Sequence, residues 1–365
     1  MDHGNFGAVD LGWQDADVRA ILARGTVMPA HLLALDANRR LDERRQRALT
    51  RYYVDAGAGG LAVSVHATQF GIRQAGLYET VLRLAVETKN DWTERAMVMV
   101  AGIAGGTSQA VAEARIARDL GYHVGLVSLA AFQCADEDTM VAHYAALADE
   151  IPIFGFYLQP AVGGVRLTDS FWRRFAEIEN AVGIKVAPFD RYATQAVVRK
   201  VVAARAEERV VLYTGNDDHI VLDLVTPFGA VRDGKPVMVR FRGGLLGQWA
   251  VWTRRAVQLL ERIHQGTIDD ELLTLDWKLT DANRAIFDVA NGFRGCIAGC
   301  HEVLRRQGRF EGIWCLDPDE DLSPRQAEDI DRVCRDHPEL ADDEFVADNL
   351  DRWLAGDASI KLRPT

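Results

Sequence analysis

Cysteine is scarce in this chain and carries no pattern. Its five copies, Cys134, Cys296, Cys300, Cys315 and Cys334, are odd in number and form no Cys-x-x-Cys pair. That argues against a disulfide framework and a zinc ribbon, and it fits a reducing cytoplasm. Positive charge is also short: 42 Lys plus Arg face 53 Asp plus Glu, for a net charge of −11. Such a surface repels a phosphate backbone, so nucleic acid is not expected as a partner. No apolar run approaches the roughly 20 residues that span a bilayer. Met1-Asp2-His3-Gly4-Asn5 lacks the cationic segment and apolar core of a secretory leader. The expectation is a soluble, unprocessed, cytoplasmic chain with no membrane contact.

What the chain does have is length and a regular alternation. Its 365 residues, 48% of them hydrophobic, suffice for one large core. From Val27 onward, short apolar runs alternate with amphipathic stretches, the pattern of βα units on a parallel sheet. Strands are predicted at 27–35, 60–65, 96–102, 124–129, 152–158, 182–186, 210–214 and 237–244. Eight such units close a (β/α)8 TIM barrel. Helix starts are marked by Asp42, Thr107-Ser108, Asp136 and Thr168-Asp169. The turn-rich 229–236 reads as an inserted hairpin or loop on the surface or over the barrel mouth. Beyond the barrel, 250–264, 272–308 and 323–333 read as helices. The implied division is an N-terminal extension (1–25), the barrel (26–265), a C-terminal helical appendix (266–337) and an acidic, less regular tail (338–365).

Lys185 is the most informative residue. It follows Ala181-Val182-Gly183-Ile184, an apolar run that reads as a buried strand, and barrel enzymes build their sites at the C-terminal ends of strands. A desolvated ammonium loses its proton more easily, and a free amine attacks carbonyls, so Lys185 is a candidate Schiff-base nucleophile. Tyr157, near the end of the preceding strand in Phe156-Tyr157-Leu158-Gln159-Pro160, is placed to reach that amine and shuttle protons.

Phe156-Tyr157 with Pro160, followed by Val182-Gly183-Ile184-Lys185, resembles the dihydrodipicolinate synthase and N-acetylneuraminate lyase superfamily. Val27-Met28-Pro29-Ala30 with Asp36, Gly59-Gly60-Leu61-Ala62-Val63, Gly215-Asn216-Asp217-Asp218, and the stretches 286–291 and 295–299 extend the resemblance over roughly 26–316. It implies a barrel with a C-terminal helical appendix, assembled as dimers or tetramers. It further implies that the matched lysine forms an imine with a 2-oxo acid and that the matched tyrosine relays protons. The chain also departs from the family. Where the second strand normally ends in Gly-Thr-Thr-Gly-Glu, a turn that holds the substrate carboxylate, this sequence has Val65-His66-Ala67-Thr68-Gln69. Phe132 stands near the position of a relay tyrosine and cannot carry a proton. Ala161-Val162-Gly163-Gly164 offers no match for the expected arginine. These departures argue against true dihydrodipicolinate synthase activity.

The candidate substrate contacts are therefore His66, Thr68, Gln69, Phe132, Gly215 and Gly244. His66 reads equally as a carboxylate donor or base and as a neutral histidine satisfied within its loop. Gly105-Gly106 and Gly243-Gly244 are weak candidates for holding a phosphate. Asp217-Asp218 reads as a helix cap before it reads as a metal site with His219, and Cys296 and Cys300 read as packing thiols. Arg191, Arg240 and Arg242 are offered as replacement carboxylate anchors. No cofactor and no metal is expected. The leading reading is a Schiff-base lyase or aldolase, or a hydro-lyase, acting on a small oxo acid or related carbonyl compound. A metabolite-binding sensor barrel and a barrel enzyme for phosphorylated substrates are the alternatives.

Overall fold

The computed structural model describes residues 15–266 and 268–355. Eight parallel strands line the core: β1 (Val27–Pro29), β2 (Gly60–Val63), β3 (Val98–Ile103), β4 (Val124–Val127), β5 (Ile153–Leu158), β6 (Ala181–Ala187), β7 (Val211–Thr214) and β10 (Phe241–Leu246). Their hydrogen-bonded order is β1-β10-β7-β6-β5-β4-β3-β2. A parallel bridge between Ala30 and Ala62 closes the ring from β1 to β2, and the His31 amide donates to the Ala62 carbonyl at 2.8 Å. The chain is a (β/α)8 barrel with helices added at its C-terminal end, as its eight apolar runs predict. The strands consist almost wholly of buried residues because one face meets the barrel interior and the other the helices.

The eighth strand differs from its expected position. Residues 237–239 belong to a separate hairpin, β8 (Phe228–Arg232) with β9 (Lys235–Val239), and the barrel strand starts only at Phe241. Asp233 and Gly234 both have positive φ, 53° and 75°, the requirement of a two-residue hairpin turn. That turn folds Val237-Met238-Val239 back on β8. The hairpin rests on the outside of helix Arg191–Ala203, where Gln195 Nε2 donates to the Gly229 carbonyl at 3.1 Å. It does not cover the mouth.

Helix Ala16–Arg24, capped by Asp15, lies within the stretch read as an extension. It is anchored from inside the barrel: the Tyr213 hydroxyl donates to the Leu22 carbonyl at 2.9 Å. Residues 1–14 of that extension lie outside the described residues. The predicted helix 272–308 is broken into Asp270–Ile286 and Cys296–Arg306. Asp288, Gly292 and Phe293 adopt positive φ between them. The tail, read as less regular, contains helix Asp343–Ala355; its fully buried Trp353 donates from Nε1 to Asp55 at 2.6 Å. Residues 356–365 of the tail lie outside the described residues. No described helix is long and apolar enough to cross a membrane.

Candidate active site at the barrel mouth

Side chains alternate along a strand, and that alternation decides which residues meet at the C-terminal mouth. On β6, Lys185 and Ala187 both line a cavity, while Val186 between them faces the helices. On β5, Phe156 and Leu158 line the same cavity. Phe156 pairs in register with Lys185, and the ammonium sits 4.5 Å from the centroid of the Phe156 ring, a cation–π contact. The β7 end makes room for the lysine stem. A Cβ on Gly215 would lie 2.6 Å from Lys185 Cε, so that position tolerates no side chain while the lysine keeps its course.

Lys185 is buried, and desolvation lowers its pKa to about 8, against a smaller opposing pull from Asp217. Asp217 lines the same cavity. Burial raises its carboxyl to about 7, although the Gln248 amide, donating to Oδ1 at 2.9 Å, and the lysine charge both act to lower it. The two groups sense each other without forming a salt bridge among the described residues. At neutral pH the site thus holds an amine able to lose its proton and a carboxyl able to take or give one. His66 on the β2 side and Gln159 after β5 add uncharged polar groups to the lining. Burial, with a smaller contribution from the lysine charge, lowers the His66 pKa to about 4, so the ring is neutral.

The remaining predicted contacts lie elsewhere, and each has a visible reason. The structure does not bring Tyr157 to the amine: one residue along from Phe156, it pairs with Val186 and packs its ring on Trp172 at 5.2 Å. Its hydroxyl oxygen meets the Leu167 backbone amide. Thr68 donates to the His31 carbonyl at 2.6 Å, tying the turn after β2 to β1. Gln69 Oε1 accepts from the Leu316 amide at 2.6 Å. Phe132 stacks against His143 at 4.4 Å. Gly244 is a packing glycine, since a Cβ there would meet the Trp249 ring at 2.7 Å. None of these five lines the cavity; His66 and Gly215 do.

The arginines proposed as anchors are also engaged away from it. Arg191 pairs with the fully buried Asp223 at 2.5 Å, and Arg240 donates to the Val225 carbonyl at 2.9 Å. Asp217 accepts from the Gln248 amide at 2.9 Å, and His219 Nδ1 meets Asp276 at 3.0 Å. Among the described residues no group of three His, Cys, Asp or Glu side chains could hold a metal ion.

Sequence reasoning overlooked Asp217 as a cavity residue, and it overlooked the cavity's cover. Phe287, Phe293, Cys296, Ile297 and Cys300 close one side, brought there by the break between the two C-terminal helices. Phe293 meets Phe189 at 5.9 Å, and both phenylalanines hold left-handed backbones, with φ of 68° and 51°.

Residues 23–231 match the model of the Dihydrodipicolinate synthetase family. The 4-hydroxy-tetrahydrodipicolinate synthase of Mycolicibacterium paratuberculosis is 28% identical over 195 residues, 53% of this chain and 61% of that protein. The enzyme of Gluconobacter oxydans is 27% identical over 207 residues, 56% and 64% of the two. The chain thus spans less than two thirds of these curated relatives. Among solved structures, the dihydrodipicolinate synthase of Acinetobacter baumannii complexed with pyruvate superposes with a TM-score of 0.71 at 17% identity, over 86% of this chain and 99% of that one. The N-acetylneuraminate lyase of Fusobacterium nucleatum gives 0.69 at 18% identity, over 87% and 99%. At these identities the structural likeness shows the fold. With the family model matched over more than half of its length, the chain belongs to the dihydrodipicolinate synthetase family.

Proposed function

We propose that the protein is a lyase of the aldolase type that works through a Schiff base on Lys185. The observation that supports this best is a buried amine with a lowered pKa at the end of an inner barrel strand, sharing a cavity with the Asp217 carboxyl group. The Lys185 nitrogen forms a bond to the substrate carbonyl carbon while the carbonyl oxygen takes a proton. The nitrogen then gives up a proton, the hydroxyl takes one, water leaves, and an iminium remains. Its positive nitrogen accepts the electron pair of a neighbouring C–C bond as that bond breaks. The resulting enamine is protonated at carbon, and hydrolysis returns the amine. In this reading Asp217 carries the protons, its raised pKa suiting both directions of transfer near neutral pH.

The substrate in this reading is a small 2-oxo acid or a related carbonyl compound. True dihydrodipicolinate synthase activity is not part of it, because Phe132 packs on His143 and brings no phenol. Assembly as a dimer or tetramer in the cytoplasm belongs to the same proposal and draws on family membership. A panel of oxo acids, ketones and aldehydes, reduced with borohydride on the full chain and mapped by peptide mass, tests the proposal. A reduced adduct on Lys185 is expected. A folded protein that turns over a carbonyl substrate without such an adduct, and keeps its turnover in Lys185→Ala, overturns it.

A further inference from the structure

The lining of the Lys185 cavity is mostly apolar. Leu32, Phe156, Leu158, Phe189, Phe287 and Phe293 supply its walls, and Lys185 is the only lysine or arginine among the described residues that line it. Cys296 and Cys300 also face it, and burial pushes both thiols far above their ordinary range. They stay neutral and act as small hydrophobes. His66 is neutral too, so it and Gln159, which also lines the cavity, offer a carboxylate uncharged donors only.

Two features indicate that this apolar character is built in. Phe189 and Phe293 enter from different parts of the chain, one after β6 and the other from the break in the C-terminal helices. Each holds a left-handed backbone, a conformation that bulky side chains rarely adopt. The Phe189 amide is secured by Asn216 Oδ1 at 3.1 Å, and the Phe293 amide by the Asp288 carbonyl at 3.0 Å. Backbone strain is tolerated here to set two phenyl rings against each other at the cavity edge.

Charge counting points the same way. Once an imine forms, the cavity holds one fixed positive charge at the iminium nitrogen and one negative charge at Asp217. A neutral substrate leaves that pair balanced. A 2-oxo acid adds a second carboxylate beside the first, and in a low-dielectric cavity with a single cation one of the two must then take up a proton, a cost that an uncharged substrate does not carry.

We propose that the carbonyl compound taken up by Lys185 is uncharged and bears an apolar group where a 2-oxo acid bears its carboxylate. This rests on imine formation at Lys185, and it assigns the cavity's apolar walls to the substituent and its one carboxylate to the iminium.

The test uses two ketones that differ only in the carboxylate, 4-phenylbutan-2-one and 2-oxo-4-phenylbutanoate. Each is titrated against the full chain with cyanoborohydride, which delivers hydride to the iminium carbon and leaves a secondary amine. Adducts on Lys185 are normalised to those on exposed lysines in the same sample, which removes the difference in intrinsic reactivity. The uncharged ketone is expected to half-saturate Lys185 at a concentration about tenfold lower than the oxo acid. In Asp217→Asn, where the competing negative charge is gone, the preference should narrow or reverse. If the oxo acid labels Lys185 at equal or lower concentration, or if Asp217→Asn leaves the preference unchanged, the substrate assignment fails and the imine reading stands. If neither ketone, nor any member of the broader panel, leaves an adduct on Lys185, the imine reading fails and takes this inference with it.

Discussion

Two pairs of buried opposite charges lie within this barrel, and they are built in opposite ways. Arg73 and Glu113 meet as a two-point ion pair, at 2.9 and 2.8 Å. Gln109 Nε2 and the Ala104 amide donate to the same carboxylate at 2.9 and 3.1 Å. Arg73 also lies over the Tyr78 ring at 4.9 Å and donates to the Gly102 carbonyl at 3.1 Å. This pair holds the segment after β2 against β3 and its helix. Lys185 and Asp217 share a cavity without closing on one another, and burial shifts both toward their neutral forms. A charge pair that serves structure is closed in direct contact and held by further partners. One that serves chemistry is left short of them, because protons must move on and off it.

The contrast is broken most directly by removing one member of each pair. Lys185→Met should abolish borohydride trapping and lower turnover by more than about a thousandfold, yet leave the denaturation midpoint equal or higher. The sign follows from the lowered lysine pKa. Stability contributed by this group is present above its unfolded value of 10.5 and is lost as pH falls toward about 8. At pH 7 the buried amine therefore costs the fold a few kcal/mol, about 1.4 for each tenfold change in proton affinity, and methionine removes that cost. Glu113→Ala should do the reverse. It leaves a buried guanidinium without its carboxylate and costs about 3–5 kcal/mol, while the folded fraction still forms the imine. Equal stability losses in the two variants would erase the distinction.

Much of the barrel was legible in the sequence because each strand is a continuous apolar run, and Lys185 stood out as a charge inside one. The eighth strand was misplaced because Val237-Met238-Val239 has the composition of a strand and is one, in a hairpin; the Asp233-Gly234 pair was the available sign of the turn. The break between the C-terminal helices was hidden by apolar spacing that runs through it, although Asn291-Gly292 marked a turn. Asp217 was read as a helix cap, but the helix begins only at Ile220, which frees the carboxyl to face the cavity. Tyr157 illustrates the harder limit. A strand's side-chain period is two, so a displacement by one residue exchanges inside for outside. Composition shows neither the register of β5 on β6 nor the irregularity between Ile153 and Phe154 that sets it.

The chemical pair is sharpened by its pH dependence. Imine formation needs the free amine, so the trapping rate should rise as pH increases through about 8, the value for Lys185. Asp217 holds the proton on the lysine by its negative charge. Asp217→Asn should therefore move the midpoint of this rise toward acid, as read from initial trapping rates across pH 6 to 10. A midpoint that stays in place would mean that the two groups do not interact.

The smallest effect expected is at Tyr157, and it bears on which face of β5 serves catalysis. Tyr157→Phe keeps the ring on Trp172 and removes only the hydroxyl at the Leu167 amide, a loss of about 0.5–1.5 kcal/mol in stability. Because the phenol faces the helix layer, the trapping rate and turnover should change by less than about threefold. Phe156→Tyr, on the inward face beside Lys185, should instead alter the pH midpoint of trapping, since it sets a phenol where the ammonium now meets a phenyl ring. A hundredfold loss of turnover in Tyr157→Phe with normal stability would show that the tyrosine reaches the amine, in keeping with the family resemblance. Phe156 would then have to yield the inward position during turnover.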